Sequence, residues 1–150
     1  MTHDELIQRA MRWLVGTGKC WIAASEVIAG REVVDAIGWN MSESIQIECK
    51  TSKADFRRDL KKDTRRPSKY NKRDYGVGNT RYYMAPPGVI PKTELPEGWG
   101  LLEVYPGIVR KVAGGWPRFR DDGIDGREKW MLIRIITRKF GFRAKICPGE

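Results

Sequence analysis

Asp35, Glu48 and Lys50 are the residues of this chain whose types and spacing best suit chemistry. Asp35 lies in a β-like run, Glu32 to Trp39. A turn follows over Gly38 to Ser44, and Ile45 to Lys50 reads as the next strand. Side chains alternate faces along a strand, so Ile45, Ile47 and Cys49 point one way and Gln46, Glu48 and Lys50 the other. Two acids and a lysine can then meet at one polar edge of a sheet. Hard carboxylate oxygens suit Mg²⁺ or Mn²⁺, and the lysine supplies an adjacent cation. The plainer alternative for Glu48 and Lys50 is an ion pair, worth little at a surface.

The elements that must position these residues begin with a helix over Thr2 to Val15. Leu6, Ile7, Ala10, Trp13 and Leu14 recur at helical spacing and form one apolar face. Thr2 and Glu5 have capping-box spacing, and Gly16 and Gly18 end the helix. Cys20 to Ile28 reads as a strand carrying one acid, Glu26, and Ala29-Gly30-Arg31 as the turn into the strand of Asp35. Glu26 is then either a surface residue or a third acid of the metal shell.

After Lys50 a second helix starts, with Ser52 and Asp55 at capping distance and Phe56 and Leu60 facing inward. Lys53, Arg57, Arg58, Lys61, Arg65, Arg66, Lys69, Lys72 and Arg73 fall in or just after this helix, interleaved with Tyr70 and Tyr75. Between Lys53 and Arg73 ten basic residues face three acids, so +7 of the net +9 sits in this one segment. Phosphate backbones attract such a patch, and aromatics among cations can stack bases. A solvated basic surface is the competing explanation. Gly76-Val77-Gly78 lacks the remainder of a phosphate-loop pattern and reads as a turn. Thr80 to Ala85, Trp99 to Tyr105 and Ile108 to Val112 read as strands. Ile124 to Lys139 reads as a last helix, with Trp130, Ile133 and Ile136 inward and Arg134 and Arg138 on its other side.

With 150 residues the chain fits one α/β domain, with a basic loop at 63–79. No run reaches the length of a membrane span and no secretion signal opens the chain, so a cytoplasmic location without a membrane partner is expected. Three scattered cysteines suggest neither a disulfide framework nor a zinc site. The single histidine, His3, reads as an ordinary helix-start residue. A serine triad, a multi-histidine zinc hydrolase or a histidine-based nuclease would need it in the site.

The order helix, three strands, helix, strand, with Asp35 on the second strand and Glu48-Cys49-Lys50 on the third, resembles the PD-(D/E)XK nuclease superfamily, the restriction-endonuclease-like fold. The wording Gly30-Arg-Glu-Val-Val-Asp35 and Glu48-Cys-Lys-Thr-Ser-Lys-Ala-Asp55-Phe56 is similar to the MmcB-type branch linked to DNA repair and to small phage-encoded relatives. The resemblance covers roughly residues 1–85, and 107–150 form an extension without a matched counterpart. It implies an αβββαβ core with a mixed central sheet flanked by helices, and Mg²⁺- or Mn²⁺-dependent hydrolysis of DNA. Asp35, Glu48 and the backbone carbonyl of Cys49 would bind the metal, Lys50 would assist the attacking water, and Glu26 is the candidate supporting acid. Branched or single-stranded DNA would be a substrate, and a homodimer would suit cleavage of both strands. Two other classes stay open: a nucleic-acid-binding module of this fold that does not cleave, and a factor whose basic patch meets an acidic protein.

Overall fold

A computed structural model describes residues 1–29, 32–65, 76–117 and 126–140. Helix α1 (His3–Val15) leads into three strands, β1 (Ile22–Ala29), β2 (Glu32–Trp39) and β3 (Ser44–Cys49). Helix α2 (Lys53–Asp59) and a 3-10 turn at Asp63–Arg65 follow. Then come β4 (Thr80–Ala85), β5 (Trp99–Tyr105), β6 (Ile108–Ala113) and helix α3 (Gly126–Phe140). The six strands form one mixed sheet in sequence order. The β1–β2, β2–β3 and β5–β6 pairs are antiparallel, whereas β3–β4 and β4–β5 are parallel. The architecture is therefore mixed α/β, a six-stranded sheet flanked by three helices.

Local sequence accounts for α1. Thr2 accepts a hydrogen bond from the Glu5 N–H, and Glu5 accepts one from the Thr2 N–H, which completes the capping box. Its five apolar positions are all buried against the sheet with Ile45, Ile47, Cys49, Tyr82, Met84 and Leu102. Each leucine or isoleucine so buried contributes about 1.5–3 kcal/mol. The opposite face of the sheet takes α2, through Phe56 packed on Tyr83 and Trp99. It also takes α3, through Met131 on Val34, Ile37 and Trp39.

Two details fix the chain near β3. Asn40 caps the β2–β3 turn by accepting from the Ser42 and Glu43 N–H groups at 2.8 and 2.9 Å. Gly78, just before β4, has φ +85°, and a Cβ there would lie 2.5 Å from that of Gln46. Only glycine fits this close left-handed approach.

The inward face of α3 differs from the sequence expectation. Met131 is buried and Leu132 and Ile135 pack beside it, whereas Trp130, Ile133 and Ile136 are exposed. Arg134 and Arg138 line a groove against β1 together with Glu26. Apolar residues occur on both sides of this helix, so periodicity alone does not select the side that docks.

Candidate active site

The alternation on β3 is as its sequence predicts. Ile45, Ile47 and Cys49 enter the core under α1, while Gln46, Glu48 and Lys50 lie on the face toward α2. Glu48 and Lys50 are nearly enclosed, with 2% and 8% of their side chains exposed. Lys50 Nζ is 3.7 Å from Glu48 Oε2 and 3.3 Å from Asp59 Oδ1. Glu48 Oε1 accepts from Gln46 Nε2 at 2.9 Å. Glu48 and Lys50 lie at the C-terminal end of β3, a strand flanked by antiparallel β2 on one side and parallel β4 on the other. Ligands of open α/β sheets bind at such carboxyl ends.

Asp35 reaches the same strand end from β2. Its Oδ2 accepts from the Cys49 N–H at 2.7 Å, one residue beyond Glu48. The ladder between β2 and β3 stops at the Ala36–Ile47 pair, so the carboxylate takes the place of a ladder acceptor. His3 is not merely a helix-start residue. Helix α1 carries its Nε2 to 3.3 Å from Asp35 Oδ2, a contact that only the packing of α1 on the sheet creates.

Glu48 adjoins a charged cluster not foreseen in the sequence. Glu32, Glu48 and Asp59 each place one carboxylate oxygen within 4.8 Å of the others. Arg65 lies among them, its Nη2 at 2.6 Å from Glu32 Oε1, 3.2 Å from Asp59 Oδ1 and 3.4 Å from Glu48 Oε2. Its Nε donates to Asp59 Oδ2 at 2.7 Å, its Nη1 donates to Thr64 Oγ1, and its guanidinium lies over Trp99. Tyr83 also donates to Asp59 Oδ2, at 2.7 Å. Lys62 Nζ reaches Asp59 Oδ1 at 2.8 Å and Glu32 Oε1 at 3.4 Å.

Burial pushes the Glu48 carboxyl up to about 7. Arg65 opposes that shift, Asp35 adds to it, Lys50 opposes it and Asp59 adds to it. Burial also raises Asp59, but the hydrogen bond and charge of Arg65, with Lys50 and Lys62, hold it well below the ordinary carboxylate range. One signal for Asp59 was legible: it stands three residues after Phe56 on the inward side of α2, an acid on an apolar face. Arg65 is one cation in a basic run, with no local mark of burial.

The remaining expected residues fall in three groups. Glu26 is exposed on β1 with φ +51°, at the step between the Ser25–Ala36 and Val27–Val34 pairs. Among the described residues the acids whose carboxylate oxygens gather within 4.8 Å of one another are Glu32, Glu48 and Asp59, a group without Glu26. Arg65, expected among the phosphate-binding cations, is instead buried, because three carboxylates and an aromatic face enclose it. On the outer side of α2, Arg57 and Lys53 pair with Glu94 from beyond β4, and Arg58 lies 3.9 Å from Asp55. Lys61 is exposed close by. Arg66, Lys69, Tyr70, Lys72 and Arg73, and the Gly30-Arg31 turn, lie outside the described residues. Among the described residues no helix is long and apolar enough to cross a membrane.

No protein-family model matches the sequence, and neither does any curated protein. Among solved structures the chain is similar to the SPO1766 protein of unknown function from Silicibacter pomeroyi, with 19% identity, 97% of each chain covered and a TM-score of 0.62. At that identity the likeness is one of fold, and it extends over nearly the whole of both chains.

Proposed function

We propose that this chain is a metal-dependent endonuclease of the PD-(D/E)XK kind, hydrolysing phosphodiester bonds in DNA. The observation that carries the reading is that Asp35 holds the Cys49 N–H, one residue beyond Glu48, while Glu48 and Lys50 lie 3.7 Å apart at that end of β3. The donor set fits Mg²⁺ or Mn²⁺: two carboxylates, and at Glu48 a buried carboxyl whose ionised form burial disfavours and a divalent ion would favour. Asp35 and Glu48 would hold the ion, together with the Cys49 carbonyl. Bound there, the ion would acidify a water and polarise the scissile phosphate. Lys50, held between Glu48 and Asp59, has the charge and restraint to orient the attacking water and to steady charge developing on phosphorus. Lys53, Arg57, Arg58 and Lys61 present exposed cations on the neighbouring helix, and their surface ion pairs are weak enough to exchange for phosphate.

The test is cleavage of duplex, single-stranded and branched DNA with Mg²⁺ or Mn²⁺. Wild type is expected to cut, and Asp35→Ala and Lys50→Ala to lose at least about a hundredfold in rate. If no substrate is cut, or both variants cut like wild type, the enzymatic reading is lost. One observation favours a second reading, a nucleic-acid-binding module without cleavage: Arg65 already neutralises the acids beside Glu48. That module would bind DNA with a steep, log-linear salt dependence and never cut it.

A further inference from the structure

Helix α3 leaves an outward side that cleavage at β3 does not use. Met131 docks the helix on Val34, Ile37 and Trp39 of β2, and Leu132 and Ile135 pack beside that contact. Ile37 pairs with Gln46, and Tyr83, which holds α2 through Phe56, pairs with Glu48. Cross-strand partners share a face, so α2 and α3 both cover the face of Gln46 and Glu48. One lies over β4 and β5, the other over β1 and β2, and β3 runs between them. Arg134 and Arg138 line the groove between α3 and β1 with Glu26. Glu26 falls at the step between the Ser25–Ala36 and Val27–Val34 pairs, level with Asp35. That groove is therefore two strand spacings, about 10 Å, from β3 at the level of the candidate site.

The outward composition of α3 is one-sided. Among the described residues its exposed charged side chains are Lys129, Arg134, Arg138 and Lys139, all basic. Its acid, Glu128, is buried and accepts from the Gly78 N–H, which anchors the start of the helix before β4. Trp130 is 70% exposed. Trp130, Arg134 and Arg138 follow at four-residue steps along one side of the helix, about 6 Å apart. A helix that only had to dock would gain nothing from an indole in water. We propose that this side of α3 binds single-stranded nucleic acid, with Arg134 and Arg138 on phosphates and Trp130 stacked on a base. The inference rests on the reading of this chain as one that acts on DNA, and adds the form of the strand. Guanidinium groups pair with phosphate, and a flat indole takes any base that is not already stacked in a duplex. A second copy of the chain fits worse, because a two-fold contact through this face sets its cations against their own copies.

Fluorescence anisotropy of labelled oligothymidylate and of a labelled duplex, with the full chain in chelator, tests this. Chelator stops metal-dependent cutting, so binding is read alone. The variants are Trp130→Ala, Trp130→Tyr and Arg134→Gln combined with Arg138→Gln, all at exposed positions and each checked for folding by circular dichroism. Trp130→Ala should weaken oligothymidylate binding at least about fivefold and leave the duplex within about twofold, and Trp130→Tyr should restore it. The double arginine variant should weaken oligothymidylate and flatten its log–log salt slope by about 1.4, the share of two phosphates. No binding of oligothymidylate by wild type, Trp130→Ala binding like wild type, or an equal loss on the duplex overturns the proposal. Binding of polyglutamate in place of oligothymidylate also overturns it, and marks the face as a contact for an acidic protein. Cleavage is scored separately with Mg²⁺. A wild type that never cuts but shows the Trp130→Ala loss ends the nuclease reading alone. One that cuts while the α3 variants bind unchanged ends this proposal alone.

Discussion

Glu48 stands between two unlike neighbourhoods. Toward Asp35 the polar groups are few and partly open: one carboxylate, one backbone N–H and a half-exposed imidazole. Toward Asp59 they are crowded and enclosed, with two further acids, three cations and a tyrosine hydroxyl. The first has a single imidazole beside its carboxylate. The second already supplies its own counter-charge. Both share a strand end, so the difference lies in what other elements bring to it. Helix α1 brings one histidine to Asp35, whereas α2 and the turn after it bring Asp59, Lys62 and Arg65. Acids close together in space are therefore not equivalent as metal ligands. An acid held by a bidentate guanidinium acts first as a structural partner.

Stability measurements can break this contrast. The largest effect is expected for Arg65→Met. It strands three buried carboxylates, and removing one partner of such a network costs about 3–5 kcal/mol in a urea unfolding curve. Asp35→Asn should cost less than about 1 kcal/mol, because the amide oxygen can still accept from the Cys49 N–H. Equal losses in the two variants would erase the distinction between the sides of Glu48.

An intermediate effect is expected for Tyr83→Phe, which removes one donor to Asp59 while Arg65 and Lys62 remain. A loss of about 1–2 kcal/mol by the same assay would fit a charged acceptor that keeps its other partners. No loss would show that the hydroxyl is dispensable to the enclosed side.

A smaller effect sharpens the comparison at the surface. Arg57 and Glu94 form a two-bonded pair like that of Arg65 and Asp59, but Arg57 is exposed and Glu94 only half-buried. Arg57→Ala should leave the urea midpoint unmoved and weaken DNA binding slightly. A clear shift in midpoint would mean that burial is not what separates the two pairs. Smallest of all is a reactivity difference: burial, with Glu43 nearby, pushes the Cys20 thiol up to about 11. In a Cys147→Ser background native protein should react slowly with a thiol reagent at pH 8 and urea-unfolded protein quickly, and fast native reaction would place this core edge open to solvent.

Much of the architecture was legible because its signals are local. The cap and inward face of α1 follow from residues within one helix, and the two faces of β3 follow from alternation within one strand. The ranges of β4 and β5 agree residue for residue with Thr80–Ala85 and Trp99–Tyr105. The inward side of α3 was not legible, since Met131 and Ile135 compete with Trp130 and Ile133 for the same description.

At the candidate site, sequence alone determined that Glu48 and Lys50 share the face opposite Ile47, because side-chain direction on a strand has a period of two. Tertiary structure decided who meets them. Arg65 finds Glu32 across 33 residues, Tyr83 finds Asp59 across 24, and His3 reaches Asp35 from the first turn of the chain. No period in the sequence encodes such meetings. They arise from how helices dock on a sheet, and that docking turns one cation of a basic run into a buried partner of three acids.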